Sequence, residues 1–218
     1  MERGPYAPPK SQVRDVLEVP AGELVYAGFW RRFGAYWIDF LALLPLMGIA
    51  YYFGQQSRLF QLYWFVPGLL IGLWYHVYLV RRYGGTPGKL LLDTRIAMTD
   101  GSPVTTNAAA LRYSVLFALS VAASLAILLA ALRMTDDEYF SLAYLARAQR
   151  LVELAPPWYQ PVNILLQIWV WSEFITMLFN KKRRAIHDFM AGTVVIRTGR
   201  HERSSELAPA GTGVARSR

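Results

Sequence analysis

Four blocks of the chain are apolar on all sides rather than along one stripe. Residues 33–53, 60–80, 112–132 and 161–180 each approach the roughly 20 apolar positions that carry a helix across a bilayer. Helices that are apolar all round are buried in protein or in lipid. Four of them in 218 residues predict an all-α integral membrane protein, a four-helix transmembrane bundle. Pro45 and Pro67 fall inside the first two blocks, where neighbouring helices can satisfy the backbone groups that a kink frees.

Between the blocks the periodicity changes. "LDTRIAM" and "GTVVIRT" read as short strands, the first leading into the Asp-Gly turn of "TDGSPV". If four helices alternate, both strands lie on one side and can pair into a small β cap holding the ends of the second and fourth helices. On the other side, Leu142, Leu145 and Leu151–Val152 give segment 133–160 the spacing of one amphipathic helix, ended by Pro156–Pro157. A shorter amphipathic stretch, Ala185–Ala191, is expected in the interface with Ile186, Phe189 and Met190 toward lipid. Residues 1–27 and 199–218 read as mostly disordered tails, which leaves 28–198 as the membrane domain. "MERGPYAPPKSQVRDVLEVPAGE" lacks the apolar core of a cleavable signal, so the first helix is expected to act as the uncleaved targeting segment.

Composition agrees and charge adds direction. Apolar residues make up 54% and charged residues only 17%, against about 25% charged in a soluble domain. The net charge of +8 is concentrated at Arg31 and Arg32, at Arg81, Arg82, Lys89 and Arg95, and at Lys181 to Arg184. All three groups fall on one side of the membrane, which places both termini in the cytoplasm. Tyr51, Tyr52, Tyr63, Trp64, Trp158 and Tyr159 mark the opposite boundary as interfacial aromatics do. The basic face suits anionic lipid head groups, and no aromatic-interleaved basic module argues for nucleic acid. Cysteine is absent, which excludes disulfides and thiolate metal sites. No Ser/His/Asp, Cys/His or HExxH arrangement occurs, so an enzyme is not expected, and neither is a metal site. "GGTPGKL" has the wrong spacing for a phosphate loop: Tyr83 stands in place of its first glycine and Leu90 in place of its Ser/Thr. Gly84, Gly85 and Gly88 are read as letting the chain turn sharply.

Of the fifteen acidic residues, only Asp39 and Glu173 fall inside spans. A charge at the bilayer centre costs about 2.5–3.5 kcal/mol on insertion scales, so such groups face a bundle interior or a wet cavity. Asp39 lies roughly 10 Å past Arg32 along its helix and Glu173 roughly 12 Å before Lys181, at about 1.5 Å per residue. His76 and Ser120 fall at similar depths, so Asp39, His76, Ser120 and Glu173 share one layer. Two readings are open: these residues fix helix packing, or they relay a proton or cation, with Arg32 tuning the acidity of Asp39. His187 and Asp188 are adjacent and, with Arg31 and Lys89, read as a clamp under the membrane in which Asp188 reaches Arg31 or Arg32.

"RRFGAYWIDFL", "GGTPGKLLLDTRIAMTDGSPV", "AALR" and "RRAIHDFMAGTVVIR" occur in this order and together resemble the RDD family of bacterial membrane proteins, over about Gly28–Arg197 without the 133–160 insertion. The resemblance puts the family's arginine on Arg32, its intrahelical aspartate on Asp39 and its second aspartate on Asp188. Asp93 departs from it, standing where the family pattern "LLGLR" has glycine. What the resemblance implies is a multi-pass protein of the bacterial inner membrane, with transport of unidentified ligands proposed and cation/proton exchange attributed to some members; it adds no cofactor. Four helices make a small transporter, so a homo-oligomer is expected. The competing expectation is a non-transporting scaffold with a membrane-complex partner.

Overall fold

The computed structural model describes residues 24–179 and 183–198. The expectations placed on residues 1–23, on Asn180, Lys181 and Lys182 and on 199–218 lie outside the described residues.

Helix α1 runs Phe29–Gln56 and absorbs Pro45 without a break in the helix. It starts ahead of its apolar block, so Arg31 and Arg32 occupy its first turn. Helix α2 covers Phe60–Tyr83, with a π-helical turn at Trp74–Tyr78 and an end at Gly84, whose φ of 78° suits a residue without a Cβ. The short helix α3 is Pro87–Leu91, its first position held by the proline that helix starts favour. Strand β1, Thr94–Met98, leads through the turn at Gly101 into helix α4, Thr106–Arg133. The Thr105 hydroxyl caps α4 by accepting from the Ala108 N–H at 3.1 Å.

Where one amphipathic helix is expected there are two, α5 at Asp136–Ser141 and α6 at Tyr144–Leu154. The chain becomes extended at Leu142. There Leu142 packs onto the apolar cluster of Ala130, Ala131, Met134, Tyr139 and Leu151, and its freed carbonyl accepts from Arg147 at 3.1 Å. Leu145, assigned to the apolar face by its spacing, is 69% exposed. Helix α7, Tyr159–Phe179, packs on α4 and α1. Helix α8, Ile186–Ala191, precedes β2, Thr193–Arg197. In α8, Phe189 and Met190 are exposed while His187, Asp188 and Ala191 are buried.

The two strands pair antiparallel, with Thr94 opposite Arg197, Ile96 opposite Val195 and Met98 opposite Thr193. Residues 25–27, placed by their composition in the N-terminal tail, lie along the other edge of β2: the Ala27 N–H donates to the Val195 carbonyl and the Arg197 N–H to the Val25 carbonyl. One face of the sheet packs Ile96 and Val195 against Val80, Ala108, Ala109 and Ala191. The other packs Ala97, Val194 and Ile196 against Leu24 and Tyr26. The sheet is thus the floor on which α2, α4 and α8 end.

Among the described residues, α1, α2 and α4 are long and apolar enough to cross a membrane. Their outer faces leave Leu41, Met47, Leu70 and Leu125 exposed, as expected of helices whose surroundings are hydrocarbon. The structure is mostly helical, with three candidate spans and a two-stranded sheet at one end.

Candidate functional site

The stretch that mimics a phosphate loop binds the chain's own carboxylate. Thr86, Pro87 and Gly88 open α3 against the side of α1, and a helix start presents unpaired N–H groups that favour an anion. The Gly88 N–H donates to Asp39 Oδ1 at 2.7 Å and the Thr86 hydroxyl to Oδ2 at 2.6 Å. A third donor, the Tyr75 hydroxyl, reaches Oδ1 at 2.6 Å from the π-helical turn of α2. In that turn the Leu79 N–H reaches back five residues to the Trp74 carbonyl, the register shift that often marks functional sites. Gly88 is required for the approach: a Cβ there would overlap the Ala35 carbonyl oxygen and lie 2.9 Å from Asp39 Cγ. Among the described residues, Asp39 is therefore held by three neutral donors and by no arginine.

Asp188 takes the arginines. Its side chain is fully buried at the third position of α8. Oδ2 accepts from Arg32 Nη1 at 2.9 Å and from the Ala185 N–H at 3.0 Å. Oδ1 accepts from Arg112 Nη1 and, at 3.1 Å, from the Thr193 hydroxyl. Burial alone would raise this carboxyl, but Arg112, His187, Arg32 and the Ala185 N–H outweigh it and hold Asp188 well below the usual carboxylate range. The Arg184 guanidinium donates to the Asp188 carbonyl at 2.9 Å, fixing the backbone from which the carboxylate projects. One acid thus ties α1 and α4 to α8, the helix that feeds β2.

Beside Asp39 lies a cavity of about 310 Å³. Arg32, Asp39, Tyr75, His76, Lys89, Arg112, Tyr113, Glu173 and His187 line it, with Phe40, Leu116 and Val170 among the apolar wall. The Glu173 carboxylate stands 2.8 Å from His187 Nδ1. That contact is close but badly aimed for a hydrogen bond, and both imidazole nitrogens are buried without a directed partner. His76 stacks on Tyr113 with ring centres 4.6 Å apart. Among the described residues Lys89 forms no ion pair; its Nζ donates only a long 3.4 Å bond to Thr86. Burial lowers the Lys89 ammonium from the usual lysine value, and the pull of Asp39 offsets this only in part.

The structure brings together some of the residues that depth places at one level. Arg32, Asp39, His76 and Glu173 line one cavity. Ser120 does not line it; α4 contributes Arg112 and Tyr113 instead. Arg32 was expected to tune Asp39, but its one hydrogen-bonded nitrogen is spent on Asp188. Of the expected clamp, Asp188 reaches Arg32 and Arg31 donates to the Leu92 carbonyl at 2.8 Å. Lys89 and His187 face the cavity. Sequence reasoning missed Arg112, Tyr75 and Thr86. "AALR" carried a signal for Arg112, a basic residue nearly two turns inside an apolar helix, while Tyr75 and Thr86 are ordinary residues in their local context. Asp93, the departure from the glycine pattern, has φ 49°. This is the left-handed conformation that glycine takes freely and aspartate tolerates better than most.

Among the described residues no group of three or more His, Cys, Asp or Glu is arranged to hold a metal ion. No curated protein and no solved structure matched the chain. The model of the RDD family matches residues 26–192, a stretch that holds Arg32, Asp39 and Asp188 and every lining residue of the cavity, and the chain belongs to the RDD family.

Proposed function

We propose that this protein crosses the bacterial inner membrane four times, α7 being the fourth span, with both termini cytoplasmic. In this reading it moves a proton, alone or in exchange for a small cation, through the cavity at its sheet end. The basic residues Arg31, Arg81, Arg82 and Arg95 near that end support the orientation, and the same face would rest on anionic head groups. The reading of α7 as a span is supported by its 21 residues and by exposed Ile164, Leu165 and Ile168.

The observation that carries the transport reading is the Glu173–His187 contact of 2.8 Å on the wall of a cavity shared with His76 and Lys89. A carboxylate and an imidazole this close need only a turn of the ring or one bridging water to pass a proton between them, and the cavity is large enough for a chain of waters, each occupying about 30 Å³. Asp39 is the weaker candidate for the mobile proton, because it already accepts three hydrogen bonds. The test is proton flux in proteoliposomes under an imposed pH gradient. Wild type is expected to carry flux and Glu173→Gln to lose it at equal accumulation; equal flux from both removes the proposal.

A second reading has its own observation. Asp39 and Asp188 are bonded as packing devices are, one joining α1 to α2 and α3, the other joining α1 and α4 to α8. A scaffold for a membrane complex would use them only so. It predicts that Asp39→Asn lowers the amount of folded protein and that wild-type vesicles show no flux above empty ones.

A further inference from the structure

The polar groups of the cavity are not evenly satisfied. Every oxygen of Asp39 and Asp188 has a donor. Donors, by contrast, are left over. Arg32 spends Nη1 on Asp188, while its Nε and Nη2 are buried with no acceptor. Those two nitrogens form one edge of the guanidinium, the parallel fork that matches a carboxylate or phosphate with two hydrogen bonds. The side chain is 6% exposed, so bulk water does not serve it, and an unmet buried donor is costly. Both His187 nitrogens are likewise without a directed partner, and Lys89 Nζ has only its long bond to Thr86. Three cations line the wall, Arg32, Lys89 and Arg112, against two carboxylates, Asp39 and Glu173. Of those two, Asp39 already accepts three hydrogen bonds. An anion would find free donors.

We infer that the cavity is a binding site for a small oxyanion, held by the Nε–Nη2 edge of Arg32 and by Lys89, with His187 beside them. The inference rests on the transport reading only in taking the cavity to be reachable by solutes. The volume of about 310 Å³ admits a phosphate or a short-chain carboxylate. Lys89 then has a reason to be where it is: packing gains nothing from an ammonium without a counter-ion, whereas an arriving anion completes the pair. The same chemistry is offered by a soluble oxyanion and by the phosphate of a lipid head group.

Binding is tested on the full chain without any gradient, so it stands or falls independently of flux. Inorganic phosphate is titrated onto the protein in phosphatidylcholine nanodiscs, at constant sodium and ionic strength with chloride as the balancing anion. Thermal stability and phosphorus NMR line width are the readouts. The expected result is a saturable rise in melting temperature and saturable broadening, with affinity at least about tenfold weaker, or 1.4 kcal/mol, in Lys89→Gln. Arg32→Lys, which keeps the charge and loses the fork, is expected to weaken binding as well; Lys89→Gln decides if that variant does not fold. In nanodiscs containing phosphatidylglycerol, phosphate binding that is competed away identifies a lipid head group as the occupant, and unchanged binding identifies a soluble oxyanion. Absence of any saturable phosphate effect, together with equal stability in the two lipids, overturns the inference. So does a phosphate effect of the same size in Lys89→Gln.

Discussion

The two ends of the molecule both use arginine, in opposite surroundings. Away from the sheet, arginines meet the carbonyls of helix ends. Arg58 donates to the Ala131 carbonyl at 2.9 Å, Arg133 to the Leu154 carbonyl at 2.9 Å and Arg147 to the Leu142 carbonyl at 3.1 Å, where the helix dipole favours a cation. Arg147 also lies 4.3 Å over the Tyr139 ring, whose hydroxyl closes onto the Gly54 carbonyl at 2.7 Å. Each cation there meets a neutral acceptor or an acid open to water. At the sheet end the guanidiniums of Arg32 and Arg112 share a carboxylate with no exposed surface, and Lys89 stands beside them, bonded to Thr86 and in no ion pair among the described residues. A clamp requires only the first arrangement. The second places several charges out of water, which seldom adds net stability over apolar packing and is common where a site must bind or titrate.

The largest effect that tests this contrast is Asp188→Asn. Removing one charge of a buried network typically costs about 3–5 kcal/mol, and here it leaves two guanidiniums facing a neutral amide. The measurement is the unfolding free energy in mixed detergent. Arg147→Ala, the nearest counterpart at the other end, is expected to cost about 1–3 kcal/mol through its hydrogen bonds and ring contact. Equal losses would erase the distinction between the ends.

Acid sharpens it further. The Asp188 carboxyl lies below its unfolded value of 3.8, so the folded state releases this proton more readily. Its stabilisation is complete above that value and is lost as pH falls toward the folded one. Melting temperature is expected to hold steady from about pH 7 to 5 and to fall below about pH 4. Asp188→Asn should remove that group's share of the fall.

Lys89 should respond with the opposite sign. Its lowered pKa means that the unfolded chain binds the proton more strongly, so stability rises with pH through the window below 10.5. Lys89→Met removes a cavity-lining ammonium and is expected to raise stability by about 0.5–2 kcal/mol, with that part of the pH slope abolished. A destabilised Lys89→Met would make this lysine part of the clamp. The smallest effect belongs to Asp93→Gly, which relieves a left-handed backbone and is expected to gain about 1 kcal/mol at most, read as a shift in the same unfolding midpoint.

How much of this was legible follows from which interactions are local. The long helices are written in hydropathy, and the two strands in short alternating runs bounded by Gly101, Gly192 and Gly199. The pairing of β1 with β2 could be argued because the two runs share a side. The break at Leu142 was not visible, since it depends on a cluster assembled from α4, α5 and α6. Depth along each helix brought Asp39, His76 and Glu173 to one level, but their partners are set by rotation about the axis, which depth does not report. The π-helical turn changes that rotation for Tyr75. Gly88 was read as turn-maker when its role is a close approach to α1. Asp188 to Arg32 was within reach of the sequence because both ends of that link sit at helix starts on the same side.

The most direct test of the central claim, that the sheet-end cavity is open to water rather than a sealed packing joint, uses the absence of cysteine from the chain. Lys89→Cys is placed in sealed vesicles of known orientation and treated with a membrane-impermeant maleimide, with Leu91→Cys, 70% exposed in the native chain, as the accessible control. Labelling of both variants from the side of the sheet is predicted, Lys89→Cys the more slowly of the two. Labelling of Leu91→Cys with none of Lys89→Cys would contradict it.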